Sequence, residues 1–291
     1  MYNAVHKEMR TNMRKIAVLT DSSADIHSIE ADKLGIHVIR MPLIIDDVQY
    51  LEEIDIDLAT FIDKMNDGSA VKTSSPIIGN LLMKWDELLE NHDEVVYLPI
   101  SSGLSGSYGT AYAASKNYDG KVIVIDAKFV CYPLTLLCQE ILKMADKGYN
   151  GEQIKSLVEE NAELWACLMP YNLNALMKGG RIAPAVATLG NLLKIVPLLK
   201  VENGTIDVQD KVRTHRKAYE KAVQICTSVD NPNDYDFIVV EADCKEEAKN
   251  MASRMEQILG VPVPIYPMQA VIISHTGPNT VACARIKKLV Y

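Results

Sequence analysis

Lys15-Ile-Ala-Val-Leu-Thr-Asp-Ser-Ser23 is the stretch that settles the fold class, an apolar run of strand length that stops on a polar turn. A short run without polar alternation suits a strand buried on both faces. Similar runs follow at Ile36 to Ile45, Glu94 to Ile100 and Lys121 to Ile125. Between them lie helical stretches such as Pro76 to Glu90, where Leu81, Leu82, Trp85, Leu88 and Leu89 recur at helical spacing. Strands alternating with helices specify an α/β fold, and residues 15–168 are expected to form an N-terminal domain with a mostly parallel α/β/α sheet. Residues 1 to 14 have the composition of a frayed leader.

The pattern changes after about Ala162. Leu164 to Met169 has strand character, and Asn172 to Lys178 is a short helix stopped by Gly179-Gly180. Val196 to Val201 and Thr205 to Val208 flank Glu202-Asn203-Gly204, the Asn-Gly signature of a β-hairpin. A helix (Thr214 to Thr227), a strand (Asp236 to Glu241), a helix (Lys245 to Leu259) and a strand near Val263 to Tyr266 follow. The expected unit is a smaller C-terminal α+β domain, residues 169–291, with a mixed sheet. No Gly/Ser linker separates the halves, so the domains should pack firmly with a cleft between them.

Composition narrows the function. The chain has 291 residues, enough for about two domains, and its 48% hydrophobic and 23% charged residues are those of a globular protein. Thirty Lys and Arg against 38 Asp and Glu give a net charge of -8, which leaves no broad basic field for nucleic acid. The six cysteines include no CxxC pair and the six histidines no HExxH or paired spacing, so neither disulfides nor a metal site is expected. Without a secretory signal or an apolar run of about 18 residues, a soluble cytoplasmic protein is expected.

Four polar clusters fall at strand ends, where ligands gather in open α/β sheets: Thr20 to Ser23, Thr73-Ser-Ser-Pro76, Ser101-Ser-Gly-Leu-Ser-Gly106 and Ser274-His-Thr-Gly-Pro278. The second and third place hydroxyls just before a helix, where free N–H groups and the helix dipole favour an anion. Helix capping alone would explain either cluster, since Ser and Thr are favoured caps whatever the function. The spacing of Gly103, Gly106 and Gly109 matches neither a P-loop nor a dinucleotide fingerprint, and small-residue helix packing explains it equally well. No GxSxG elbow supports a nucleophilic serine at Ser102 or Ser105. Gly179-Gly180-Arg181 sets a permanent cation beside the expected cleft, although a surface arginine after a helix stop would look the same.

Taken together, Lys15-Ile-Ala-Val-Leu-Thr-Asp-Ser-Ser23, Thr73-Ser-Ser-Pro76, Ile100-Ser-Ser-Gly-Leu-Ser-Gly-Ser-Tyr108, Leu176-Met-Lys-Gly-Gly-Arg-Ile182 and His275-Thr-Gly-Pro278 resemble the DegV family in its own motif order. The resemblance implies a two-domain protein holding one long-chain, palmitate-like fatty acid between its domains. It further implies a non-enzymatic role as the fatty acid-binding component of bacterial fatty acid kinase. A separate ATP-binding kinase protein would phosphorylate the bound carboxylate for phospholipid metabolism, with transient membrane or acyltransferase contact. No other cofactor is implied. By the same resemblance, Thr73, Ser101, Ser102, His275 and Arg181 hold the carboxylate, and Ser74, Gly103, Thr276 and Gly277 lie nearby. Leu173 to Met177, Ala183 to Leu193 and Ile195 to Leu199 are candidates for the tail walls. Ile77, the segment Ala127 to Pro133 and Asn279 depart from the family pattern and should reshape the pocket. The alternatives are a serine-dependent hydrolase of a lipid or ester, and a regulatory lipid-sensing protein.

Overall fold

The computed structural model describes residues 14–171, 173–182 and 196–291. The expected tail-wall segment Ala183 to Leu193 and most of the leader lie outside the described residues. Strand β1 (Ile16–Asp21) is central to a four-stranded sheet of order β2-β1-β6-β7, with β2 at Ile36–Ile39, β6 at Glu94–Leu98 and β7 at Val122–Val124. All three pairings are parallel. Leu19, Val95, Tyr97 and Val124 of this sheet pack with Leu81, Trp85 and Leu88 of the helix Ile78–Leu89. Val18, Val96 and Ile123 face the opposite way, among the helices Tyr132–Asp146 and Gly151–Asn161. Burial on both faces explains the unalternating apolar runs.

The run Ile36 to Ile45, expected as one strand, is two strands in different sheets. After β2 the Met41 N–H is taken by Ser22 Oγ at 2.9 Å, and Pro42 has no N–H to donate, so the parallel ladder stops. The chain turns into β3 (Pro42–Ile45), the centre of a small antiparallel sheet with β4 (Val48–Leu51) and β5 (Val71–Thr73).

The second unit is a six-stranded mixed sheet of order β10-β9-β8-β13-β11-β12. Its strands are β8 (Leu164–Met169), β9 (Val196–Glu202), β10 (Thr205–Val212), β11 (Tyr235–Ala242), β12 (Ile265–Pro267) and β13 (Thr280–Lys287). β9 and β10 form the hairpin expected at Asn203-Gly204. We divide the chain by sheet membership before Leu164, because β8 pairs along its length with β9 and β13; a boundary at 168 would cut this strand. Period-two alternation sorts the sheet's side chains cleanly. Trp165, Cys167, Met169, Val239 and Cys283 pack against the helices His215–Thr227 and Lys245–Leu259. Leu164, Ala166, Leu168, Val240, Ala282 and Ala284 face the first unit and share one apolar cluster with it.

Candidate functional site

Two short elements deliver the central pair. Thr73 ends the edge strand β5, and His275 lies on the helix Ala270–Thr276, in which every residue except His275 is buried. The first unit holds the start of this helix, where the Gln269 N–H donates to the buried Asp25 Oδ1 at 2.8 Å. Gly277, at φ 83°, ends it, a conformation that suits glycine. Thr73 Oγ1 and His275 Nε2 are 2.7 Å apart. His275 Nδ1 is buried and has no hydrogen-bond partner among the described residues. Gly179 lies flat against it, since a Cβ there would sit 2.4 Å from Nδ1.

Burial, and secondarily the Arg181 charge, push the His275 imidazole down to about 4, so the ring is neutral at physiological pH. In the Nε2–H tautomer the ring donates to Thr73 Oγ1, and the threonine proton is free for a ligand. Arg181 follows the helix Asn174–Gly179 through Gly180 at φ 67°. Its guanidinium donates to Gly179 O at 2.5 Å and Leu104 O at 3.3 Å, which fixes it at the rim. Ser107 Oγ donates to Ser75 Oγ at 3.0 Å and lies 2.9 Å from Ser105 Oγ, linking the second and third polar clusters.

Behind this polar end lies a narrow apolar cavity of about 100 Å³ between the two units. Thr73, Ser74, Ser75, Ser105, Arg181 and His275 border it at the polar end. The floor is the second sheet, where Ala166, Val201, Ala282, Ala284 and Val240 are cross-strand neighbours. Val130, Cys131, Pro133, Met268 and Val271 form the remaining wall.

The sequence-predicted residues therefore separate into two groups. Thr73, Ser74, Arg181, His275 and Thr276 come together around the cavity, with Gly277 on the outer side of the histidine. Ser101, Ser102 and Gly103 do not border it. Ser101 Oγ donates to Gly204 O at 2.8 Å, Ser102 Oγ donates to Asp126 Oδ2 at 2.5 Å, and Gly103 is pressed against the hairpin turn. These residues fasten the loop to the rest of the molecule, while Ser105 of the same loop faces the cavity. The Thr20 to Ser23 cluster is also internal: Asp21 accepts from Ser23 N, Ser23 Oγ and Ile100 N, and Ser23 O accepts from Cys131 N. No serine occupies the N-cap position of the helix after either hydroxyl cluster, although Ser105 Oγ accepts from Ser107 N at 3.2 Å. Of the tail-wall candidates, Leu176 borders the cavity and Leu198 faces the opposite side of the sheet. Ser75 and the alanine floor were not singled out by the sequence, and Ser105 was considered only as a nucleophile, although Ser75 and Ser105 stand inside quoted motifs.

Of the departures, Val130, Cys131 and Pro133 do line the cavity, while Ile77 is exposed. Asn279 adopts φ 57°, left-handed backbone that asparagine tolerates better than most residues. No His, Cys, Asp or Glu cluster among the described residues could hold a metal, and none of the described helices is long and apolar enough to cross a membrane.

Residues 15–288 match the family described as uncharacterised protein, DegV family. The chain belongs to the DegV family. A DegV domain-containing protein of Clostridium acetobutylicum is 33% identical over 276 residues, covering 92% of this chain and 96% of that one. Among solved structures, the fatty acid-binding DegV protein of Bacillus subtilis superposes with a TM-score of 0.83 at 27% identity, covering 94% of this chain and all of that one. A DegV lipid-binding protein of Thermotoga maritima gives a TM-score of 0.80 at 28% identity, covering 95% of this chain and 100% of the other. These DegV structures share the α/β architecture with its parallel and mixed sheets.

Proposed function

We propose that this DegV protein binds one long-chain fatty acid between its two units and presents the carboxylate to a separate ATP-dependent kinase. The carrying observation is the narrow apolar cavity that ends at the Thr73–His275 pair and Arg181. Each buried methylene contributes about 0.8 kcal/mol, so a tail of ten methylenes gains about 8 kcal/mol before the costs of immobilisation. The head is met by the Thr73 hydroxyl, oriented by His275, by the Arg181 charge and by the hydroxyls of Ser74 and Ser75. The fatty acid-binding B. subtilis relative supports the same ligand.

Presentation to a partner is the reading that the polar end favours. Gly103 is pressed against the hairpin turn, where an added Cβ would lie 2.5 Å from Gly204 O. The Gly103, Gly106 and Gly109 spacing is not that of a nucleotide-binding loop, so nothing in this segment favours ATP binding to this chain. Phosphorylation would join a carboxylate oxygen to the terminal phosphorus of ATP, with ADP leaving on the broken P–O bond, and the acyl phosphate would feed phospholipid synthesis in the cytoplasm. The hydrolase alternative finds little support, because Ser102 is engaged by Asp126 and Ser105 by Ser107, and His275 faces Thr73.

The test is organic extraction of denatured, purified protein followed by mass spectrometry, with titration of palmitate and stearate into delipidated protein. A near-stoichiometric fatty acid and saturable binding are expected. Failure of both acids to bind would sink the reading. With ATP added, acyl phosphate should form only when a kinase protein is also supplied.

A further inference from the structure

Thr73 and His275 are anchored to different units. Thr73 belongs to the first, whereas the segment that carries His275 is tied to the second: Met268 N donates to Glu241 O at 2.7 Å and Asn279 N to Ala242 O at 2.6 Å, both on strand β11. The start of the helix Ala270–Thr276 is joined to the first unit by Asp25, whose Oδ1 accepts the Gln269 N–H at 2.8 Å. His275 lies about 9 Å further along the helix axis. The Ser274 and Thr276 hydroxyls brace this short helix by donating to Ala270 O and Ile272 O, so a shift at its start reaches the imidazole. An acid is a costly residue for the position. Asp25 is buried on left-handed backbone at φ 53°, and Arg40 pairs with Glu52 and Glu53 and not with it. Its Oδ2 is buried with no ordinary hydrogen-bond partner among the described residues, and the Cys131 thiol beside the carboxyl is only a weak donor. Burial, partly offset by the Gln269 N–H and reinforced by the Glu52 charge, pushes Asp25 well above the usual carboxylate range. Stability alone does not explain an acid here; its contact with Gln269 does.

We propose that Asp25 is a positioning residue of the head-group site: it holds the start of the helix Ala270–Thr276 against the first unit and thereby sets the His275 imidazole at bonding distance from Thr73. The effect on affinity rests on the acyl-chain reading of the cavity, whereas the effect on the imidazole does not. Asp25 works through the acceptor Oδ1, so an amide of the same shape serves equally well. Without the side chain, the helix start follows the second unit and the ring leaves Thr73.

Asp25→Asn and Asp25→Gly test this, because both replacements suit left-handed backbone and both remove the buried acid. Titration of palmitate into the delipidated full-length protein should give Asp25→Asn an affinity within about twofold of wild type and Asp25→Gly about tenfold weaker binding, the effect of one lost hydrogen bond to a charged head. NMR of the isotope-labelled imidazole nitrogens, assigned with His275→Gln, supplies a readout that a merely structural role would not move. In wild type and Asp25→Asn the His275 ring should stay neutral down to about pH 4, and in Asp25→Gly it should titrate nearer the ordinary 6.5 as it leaves its buried place beside Arg181. If Asp25→Gly does not fold, Asp25→Ser replaces it, since its hydroxyl is one bond short of Oδ1 and the same two changes are expected. A wild-type His275 titration in the variant that lacks Oδ1, or losses in Asp25→Asn equal to those in that variant, would overturn the positioning role. Failure of wild type to bind palmitate would overturn the acyl-chain reading, and the imidazole titration would still decide the role of Asp25.

Discussion

Thr73 and His275 stand 202 positions apart in the chain and meet at 2.7 Å, so the polar end of the cavity exists only when both units are in place. Thr73→Val keeps the shape of the side chain and removes its donor. Loss of a hydrogen bond to a charged group costs about 1.5 to 3 kcal/mol, hence about 10- to 100-fold weaker fatty acid binding, with a modest fall in melting temperature because His275 Nε2 also loses its partner. Unaltered affinity in a palmitate titration would place the head group elsewhere. His275 gives a second prediction through pH. Its imidazole is held down to about 4 in the fold, against 6.5 when unfolded. As pH falls below 6.5 the unfolded chain takes up a proton that the folded protein refuses, so this contribution is whole above 6.5 and is lost by about pH 4. After allowance for partial exposure the loss is about 2 kcal/mol. Denaturant unfolding of wild type and His275→Gln at neutral and acid pH isolates it, because the buried Asp21, Asp25 and Glu52, raised by burial, act in both proteins. Parallel pH curves for the two would refute the assignment. At this scale the sequence was legible for Thr73, His275 and Arg181, whose motifs stand out. It was not legible for Ser101, Ser102 and Ser105, because a hydroxyl that ties down a loop and one that faces a cavity look identical until the direction of the loop is known.

Elements explain why certain small residues are where they are. The helix Asn174–Gly179 ends against the His275 ring, and only a residue without a Cβ leaves that ring where it can meet Thr73. Gly179→Ala should therefore swing the imidazole away and weaken fatty acid binding by about tenfold, as loss of the Thr73 donor does. Helix propensity moves the other way, favouring alanine by about 1 kcal/mol, so stability should change little. Titration beside thermal unfolding separates the two effects, and wild-type affinity in the variant would show that the ring tolerates the contact. Strands and helices with strong periodicity were read correctly from the sequence, including the Asn203-Gly204 hairpin and the helix Lys245–Leu259. The helix Ala270–Thr276 and strand β13 were not. Seven residues give too short a period to recognise, and the helix is buried nearly all round, so no polar face marks it. The break between β2 and β3 was marked in the sequence only by Pro42; its other cause is a side chain, Ser22, that comes from another part of the chain.

The whole molecule is two units with a space between them, and on the floor formed by the six-stranded sheet the space is set by residue size. On the inner face of the second sheet Ala166 pairs with Ala284 on one side and Val201 on the other, and Ala284 lies beside the cavity with Ala282. On the outer face of the same strands Trp165, Cys167 and Met169 fill the layer under the helices completely. The apolar run Leu164 to Met169 marked a strand, but an apolar run carries no information on whether a buried face is packed or hollow. The alanines mark the difference once the sheet register is known. Ala166→Leu adds three carbons to the floor without a polar atom, and the added carbons compete with the tail for the same volume. Apo stability should rise, because a void lined by apolar atoms becomes filled. Binding should fall in a length-dependent way, by about fourfold for each methylene displaced from the cavity. Long acids are then penalised most and short acids such as decanoate least. Titration of decanoate, myristate and stearate into delipidated wild type and variant measures this directly. A uniform loss across the three lengths would mean that the substitution disturbs the polar end, and an unchanged series would mean that the tail runs along another wall.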